Sequence, residues 1–346
     1  MGERSRLSAA HMMMFWGDSL LSVMKISRRG ALAAAAGALA APAVLASVGS
    51  ARAAAPMMGT AAPAFHRFKL GAFELTAIRD GAVQLDGPHP IFGQDQPAEV
   101  VQSYAAANNL PPTRMEIGFT PMVLNTGSQL IMFDTGNGAA RRPQRGLLKE
   151  AIMMAGYKPE QVDIVVLSHF HPDHIGGLME NGKPLFPNAR YVTNSAEYDF
   201  WTPESKLTGG TARVAKLTQS NVVPVAAKMT MMKPGDSVVT GVDAVAAAGH
   251  TPGHTAFHIE SEGKRLLFIA DACNHYIMSM QKPDWHVRFD MDKEGAAATR
   301  KKLLGMAAAD GIPIAGYHMP FPAVGYVEAM SGGGYRYNAV SYQLSL

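Results

Sequence analysis

A chain of 346 residues with 47% hydrophobic and 17% charged side chains can bury a substantial core as one large domain or two small ones, which excludes pervasive disorder. The formal charge of +3 comes from the N-terminus: residues 1–53 hold six of the 31 Lys/Arg and two of the 28 Asp/Glu, leaving 25 basic against 26 acidic side chains. A body this close to neutral lacks the basic footprint of a nucleic-acid or anionic-membrane binder. It predicts an apolar pocket and a small-molecule substrate that need not be strongly charged.

The segment Met24–Ala53 reads as a targeting peptide. Ser27-Arg28-Arg29 precedes an apolar run from Ala31 to Val48, and Ala51-Arg52-Ala53 is a small-x-small cleavage site. The twin arginine resembles a bacterial Tat signal, which implies export of a folded protein to the periplasm or the medium. The run is Ala-dominated and only about 18 residues long, so a stable membrane anchor is not expected once the signal is removed. Residues 1–23 look unlike the start of such a signal, and Met24 is a plausible start. Residues 54–67, rich in Ala and Pro, read as a mobile lead-in, and residues 68–346 as the functional domain.

From Phe68 short strand patterns alternate with turns. Phe73–Arg79 reads as a strand closed by Asp80-Gly81, and Met122–Asn125 and Leu130–Phe133 as a hairpin about Thr126-Gly127-Ser128. Leu147–Ala155 has helical spacing with Gly156 as its stop. Asp163–Leu167 is a buried-strand pattern, and Tyr191–Thr193 a strand followed by a short helix over Ala196–Phe200. Val242–Ala247, Ala256–Ile259, Leu266–Ala270 and Ile312–Ala315 read as further strands. Asp292–Ala309 reads as a helix with Asp292 as N-cap and Gly311 just past its end. Two sets of strands, each followed by helices, predict an α/β fold of two sheets packed face to face with helices outside. Cys273 is the sole cysteine, so no intrachain disulfide is expected.

The chemistry concentrates in Ser168-His169-Phe170-His171-Pro172-Asp173-His174-Ile175-Gly176-Gly177. Alternation along an extended segment delivers His169 and His171 to one side, and Pro172 turns the chain so that Asp173 and His174 can face the same cavity. Neutral imidazole and carboxylate are natural zinc ligands, and four such residues within six positions rarely serve packing. Further ligands must come from elsewhere. His254, closing Gly249-His250-Thr251-Pro252-Gly253-His254, Asp271 after Leu266–Ala270, and His318 after the last core strand fit, each at a strand end.

HxHxDH, the later GHTPGH, an Asp after an apolar strand and a final His together resemble the metallo-β-lactamase superfamily of binuclear hydrolases over nearly all of residues 68–346. The tail, Pro320-Phe321-Pro322 through Gly325 and then Gly334-Tyr335-Arg336, is more narrowly similar to the methyl parathion hydrolase and lactonase branch. The resemblance implies an αββα sandwich of two mixed sheets flanked by helices. It also implies two zinc ions, with other divalent transition metals able to replace them. By position, His169, His171 and His254 would hold one metal, and Asp173, His174 and His318 the other, with Asp271 bridging. His250 would be structural, Cys273 a packed thiol, and Asp134 of Phe133-Asp134-Thr135-Gly136 a support for the His loop.

The bridging Asp271 separates the chain from members that hydrolyse lactams. His171 separates it from di-iron members, which carry Glu there. Glyoxalase II-like thioesterases share the ligands but add an anion-binding C-terminal domain with no basic counterpart here. The implied activity is hydrolysis of a lactone or ester, with phosphotriester cleavage as a side activity, by a bridging hydroxide that Asp173 orients and whose proton it shuttles. Alternatives are a hydrolytic dehalogenase, a β-lactam or amide hydrolase, or a non-catalytic metal-binding protein. Phe119, Trp201 and Tyr317 are candidates for the pocket wall, with ordinary packing as the competing reading. Oligomeric state stays open, a homodimer being one option.

Overall fold

The strand patterns assemble into two seven-stranded sheets in a computed structural model that describes residues 55–57 and 61–342. The first sheet contains β1 (Phe65–Leu70), β2 (Phe73–Ile78), β3 (Met122–Asn125), β4 (Leu130–Phe133), β5 (Ile164–Leu167), β6 (Arg190–Asn194) and β7 (Met229–Met232). The second contains β8 (Ser237–Val239), β9 (Val242–Ala246), β10 (Thr255–Ser261), β11 (Lys264–Ala270), β12 (Ile314–Gly316), β13 (Val324–Ala329) and β14 (Tyr335–Ala339). In both sheets the spatial order follows the chain. The first is antiparallel from β1 to β4 and parallel from β4 to β7. The second is antiparallel except where β11 runs parallel to β12.

Alternation along each central strand builds two interfaces at once. Ile164 and Val166 of β5 point into the core between the sheets, while Val165 and Leu167 point outward under helices. In the same way Leu266 and Phe268 of β11 face inward, and Leu267 and Ile269 face the outer layer. The inter-sheet core is knitted by Phe133, whose ring centroid lies 5.4 Å from Phe257 and 5.1 Å from Phe268. Each such side chain, fully buried, contributes roughly 1.5–3 kcal/mol. A strand buried on both faces reads as a continuous apolar run, which is why Asp163–Leu167 shows no polar alternation.

Among the described residues the α-helices are α1 (Ala98–Ala107), α2 (Leu148–Met154), α3 (Pro172–Ile175), α4 (Ser195–Trp201), α5 (Ala212–Asn221), α6 (Met278–Gln281) and α7 (Lys293–Asp310). Asp292 caps α7 by accepting from the Gly295 N–H at 2.9 Å, and Gly311 ends it at φ +62°. The two sheets with α2, α4 and α5 packed outside the first and α7 outside the second give the αββα sandwich. No helix among the described residues is long and apolar enough to cross a membrane.

Some features differ from the sequence reading. β1 starts at Phe65 and pairs with β2, so the last three residues of the expected lead-in belong to a sheet edge. Helices α1 and α5 were not expected. A two-stranded ribbon, Gly81–Asp86 with Arg114–Phe119, was also missed, because its strands pair across a long excursion that contains α1. The targeting segment expected over Met24–Ala53 lies outside the described residues.

Candidate metal centre

Strand β5 runs into Ser168 and His169, and α3 begins at Pro172, so the HxHxDH segment crosses from extended chain to helix within three residues. Four loop segments meet there: Ser168–Ile175, the loop between β9 and β10, Asp271 directly after β11, and His318 after β12. Ala270, the residue before Asp271, has φ +42°, a left-handed conformation uncommon for a residue with a side chain. The local backbone strain sits where a candidate ligand must leave the strand.

Two groups of donor atoms form. His169, His171, His250 and Asp271 make one, and Asp173, His174, Asp271 and His318 make the other; within each group the donor atoms lie within 4.8 Å of one another. His250 Nε2 is 3.2 Å from Asp271 Oδ2, and His171 Nδ1 is 2.9 Å from His250 Nε2. In the second group His318 Nε2 lies 3.1 Å from Asp271 Oδ2 and 3.4 Å from Asp173 Oδ2, and His174 Nε2 lies 3.2 Å from Asp271 Oδ1. Ligands about 2.0–2.1 Å from one tetrahedral ion are roughly 3.3 Å apart, so these separations fit a cation in each group.

The unpaired atoms point the same way. Among the described residues His169 Nε2, His174 Nε2 and Asp271 Oδ1 are buried without a hydrogen-bond partner, the last two lying 3.2 Å apart without forming one. A buried polar atom left unpaired costs about 1–3 kcal/mol, and three converging on one spot fit a divalent cation. The opposite ring nitrogens are committed. His174 Nδ1 lies 2.8 Å from Asp134 Oδ2, His250 Nδ1 2.7 Å from Asp290 Oδ1, His318 Nδ1 2.8 Å from the Gly118 carbonyl, and His169 Nδ1 3.1 Å from Ser168 Oγ. Each contact fixes a ring orientation that aims Nε2 at the centre.

His254 does not join the first group; His250 takes that place. His254 Nδ1 meets the Ala247 carbonyl at 2.9 Å, and its Nε2 accepts the Asp271 backbone N–H at 3.1 Å. Both nitrogens are spent on backbone, and the ring serves to place Asp271. The reason lies in how the Gly/Pro loop is seated. A Cβ on Gly253 would fall 2.1 Å from Glu197 N, and one on Gly249 2.4 Å from Ala296 N, so the loop is pressed between α4 and α7. His250 is thereby brought over Asp290 and beside His171.

Electrostatics follow burial. The His169 and His171 imidazoles are pushed well below their ordinary range by burial, with neighbouring imidazoles adding to it, and His254 is pushed down to about 3. Burial opposes charge on His250 too, but hydrogen bonds to Asp271 and Asp290 outweigh it and raise it to about 9. Burial also opposes charge on Asp271, yet the His318 and His174 imidazoles hold it well below the usual carboxylate range.

Buried carboxylates that sequence reasoning passed over hold the loops. Glu197 accepts from the backbone N–H groups of Phe170 and Gly253, from Thr251 Oγ1 and from Trp201 Nε1, at 2.7–2.9 Å, tying both histidine loops to α4. Asp80 accepts from the backbone N–H groups of Asn137, Gly146 and Leu148. Asp290 receives Arg300 Nη2 at 2.8 Å on its second oxygen. Only Asp134, in the expected supporting place, stood beside a recognisable motif; it also accepts from Ser168 N and Oγ.

A cleft of about 900 Å³ opens on the donors and is lined by His171, Asp173, Asp271 and His318. It is not uniformly apolar, as the net charge had suggested. Val83, Leu85, Ile117, Phe119 and Phe289 form an apolar wall, and arginines stand elsewhere around it. Phe119 is therefore a wall residue. Trp201 and Tyr317 are buried supports: Trp201 lies against His171 at 6.3 Å, and Tyr317 stacks on His174 at 3.9 Å while its hydroxyl donates to the Asp173 carbonyl. Cys273 is buried outside both donor groups, and burial raises its thiol to about 12.

Residues 120–310 match the family model described as Metallo-beta-lactamase superfamily. A probable metallo-hydrolase of Bacillus subtilis, YflN, is 29% identical over 180 residues, covering 45% of this chain and 67% of the relative. Another probable metallo-hydrolase, from Mycobacterium tuberculosis, is 28% identical over 179 residues, and the chain spans only 56% of its length. Among solved structures, AidC, a dizinc quorum-quenching lactonase in complex with a product, superposes with TM-score 0.74 at 26% identity, covering 80% of this chain and 98% of that one. The hydrolase AbOPH gives TM-score 0.74 at 25% identity over 82% and 99% of the two chains.

Proposed function

The chain belongs to the metallo-beta-lactamase superfamily and is a metal-dependent hydrolase, and we propose that it cleaves a lactone or ester bond with two zinc ions held at the paired donor groups. The observation that carries this is Asp271, whose two oxygens reach both groups, beside unpaired His169 Nε2 and His174 Nε2. His169, His171 and His250 would hold one ion, and Asp173, His174 and His318 the other, with Asp271 shared. When bound, the ions supply Lewis acidity at the substrate oxygen and a water acidified toward neutral pH.

The protein's own groups supply the rest. The Asp173 side chain is 21% exposed, facing the cleft, whereas Asp271 is 4% exposed. Asp173 is thus the carboxylate that can orient an attacking water, take its proton and pass it to the leaving oxygen. Tyr317 steadies that residue through the Asp173 carbonyl. The wall of Val83, Leu85, Ile117, Phe119 and Phe289 receives the acyl or aryl part and excludes water from it. The lactonase structures support lactones as the first substrates to try.

The test is elemental analysis of purified protein with a spectrophotometric panel: an N-acyl homoserine lactone, an aryl phosphotriester and a cephalosporin. Two equivalents of metal and fastest turnover of the lactone are expected. Preference for the cephalosporin would favour lactam hydrolysis, and metal content without turnover of any substrate would favour a binding protein. A small-molecule substrate and export through the twin-arginine signal complete the proposal; recovery of tagged full-length protein solely from the cytoplasm would refute the export part.

A further inference from the structure

Four arginines, Arg141, Arg145, Arg213 and Arg288, line the cleft that opens on the donor groups. They are four of the twelve arginines from residue 61 onward, gathered on one concavity of a domain close to neutral overall. None of the four has a carboxylate within ion-pair distance among the described residues, nor do Arg79, Arg114 and Arg190 outside the cleft, whereas Arg67, Arg142, Arg265, Arg300 and Arg336 do. The cleft has three carboxylates of its own. Glu180 is taken by Arg142 and Lys149 at 3.0 and 2.8 Å, and Asp173 and Asp271 belong to the donor groups. No carboxylate pairs directly with any of the four, although Asp173 and Asp80 lie close enough to act on Arg145.

One of them is fixed next to the chemistry. Arg145 is half-buried; its Nε donates to Asn137 Oδ1 at 3.1 Å, and its guanidinium sits 6.0 Å above the Phe119 ring. Phe119 in turn packs edge-on to His318 at 5.5 Å. The three guanidinium groups line one cleft, and burial and the positive charge of Arg141, with a smaller share from Arg213, lower Arg145 from its ordinary value against the opposing charges of Asp173 and Asp80. Arg213 is placed by the first turn of α5, whose Val214 and Leu217 also face the cleft. Like charges held together beside an apolar wall are stabilised by a bound anion, and the guanidinium fork suits a planar or tetrahedral oxyanion.

We infer that the substrate is an organic anion: an ester or lactone whose apolar body lies on the Phe119 wall and whose carboxylate or phosphate, away from the scissile bond, is held by Arg141, Arg145 and Arg213. This rests on the hydrolase reading above and narrows it, since neutral substrates would leave the arginines idle. The positive rim also steers anions into the cleft, an effect that salt weakens.

The test compares mono-4-nitrophenyl adipate with 4-nitrophenyl hexanoate, esters of equal acyl length that differ in a terminal carboxylate. In wild type the adipate ester should have the larger kcat/KM, and Arg141→Gln/Arg213→Gln should lower the adipate-to-hexanoate ratio by about tenfold or more. Lys216→Gln, which removes an exposed charge from the same helix outside the cleft, should leave the ratio as in wild type. Calorimetric binding of adipate monoamide and of 6-amino-6-oxohexyl phosphate gives a readout independent of turnover. Binding of either, lost in the double variant, supports the inference, and the tighter of the two identifies the oxyanion. A ratio and a binding constant unchanged in the double variant would overturn the anion site while leaving the hydrolase standing. Failure to hydrolyse both esters together with the lactone would instead count against the hydrolase reading, and the calorimetry would still decide the anion site.

Discussion

The loop after β5 and the loop between β9 and β10 both bring histidines to the paired donor groups, yet they do so by different physics. In the first, His169, His171, Asp173 and His174 all reach the donor groups. In the second, His250 reaches them and His254, four residues on, turns to the Ala247 carbonyl and the Asp271 backbone. The first loop is set by local rules, strand alternation followed by a proline-started helical turn. The second is a Gly/Pro turn with no period of its own, and contacts with Glu197, Asp290 and the start of α7 choose which ring faces the centre. A ligand in a periodic segment can be read locally, whereas one in an aperiodic turn is assigned by its neighbours.

The sharpest way to break this comparison is at the residue both loops converge on. Asp271→Ala should drop bound metal well below that of wild type, and activity by about 10³-fold or more, because both donor groups lose a ligand. Full metal content in that variant would remove the shared-carboxylate arrangement. Next in size is the contrast within the second loop. His250→Ala should weaken metal binding by about 10–1,000-fold, while His254→Ala should act first on stability, costing about 1–3 kcal/mol by leaving the Asp271 N–H and Ala247 carbonyl unpaired. Metal titration and denaturant unfolding of the two variants separate them, and a reversed pattern would restore His254 as the ligand.

Asp290→Asn tests whether the neighbour assigns the ring. Its carboxylate fixes His250 from behind and is itself held by Arg300, so the variant should lose about 10–100-fold in metal affinity, measured by competition with a chelator. An affinity equal to wild type would mean that the loop alone orients His250.

His275 offers a smaller, pH-dependent contrast, as a buried histidine outside the donor groups. Burial pushes it down to about 4, and its Nδ1 accepts the Ile277 and Met278 backbone N–H groups. The unfolded chain takes up this proton near pH 6.5 and the folded chain does not, so this part of the stability is intact above about 6.5 and shrinks as pH falls toward 4. Between pH 7 and 5, His275→Asn should lose about 2 kcal/mol less unfolding free energy than wild type. Equal losses in the two proteins would show that His275 takes up its proton as readily in the fold as in the unfolded chain. The smallest effect belongs to Cys273: with its thiol raised to about 12, native protein should resist iodoacetamide at pH 8, and Cys273→Ala should keep wild-type metal content. Rapid native alkylation would place the thiol in a different environment.

Much of the fold was legible because its central strands follow rules that act over a few residues. Asp163–Leu167 is apolar throughout because it is covered on both faces, and the Asp292 cap with Gly311 at φ +62° brackets a helix whose ends are written locally. The ribbon Gly81–Asp86 with Arg114–Phe119 was not legible, since its pairing closes a long loop and its side chains are stabilised by a wall built from distant segments. Glu197 and Asp80 escaped for a related reason. A buried carboxylate is recognisable by the donors that surround it, and those donors are backbone N–H groups from elsewhere in the chain.

By itself, the sequence determined the chemistry on offer: imidazole and carboxylate at strand ends, in a spacing that local alternation and one proline turn toward a common point. It did not determine which histidine of the Gly/Pro loop would face the donor groups, nor that a chain with almost balanced charge would gather four arginines without a direct ion pair around one cleft. Net charge is a sum and is blind to position, and the orientation of an aperiodic loop follows from hydrogen bonds to residues far away in sequence. Both were decided only when the two sheets closed on each other and brought those residues within reach.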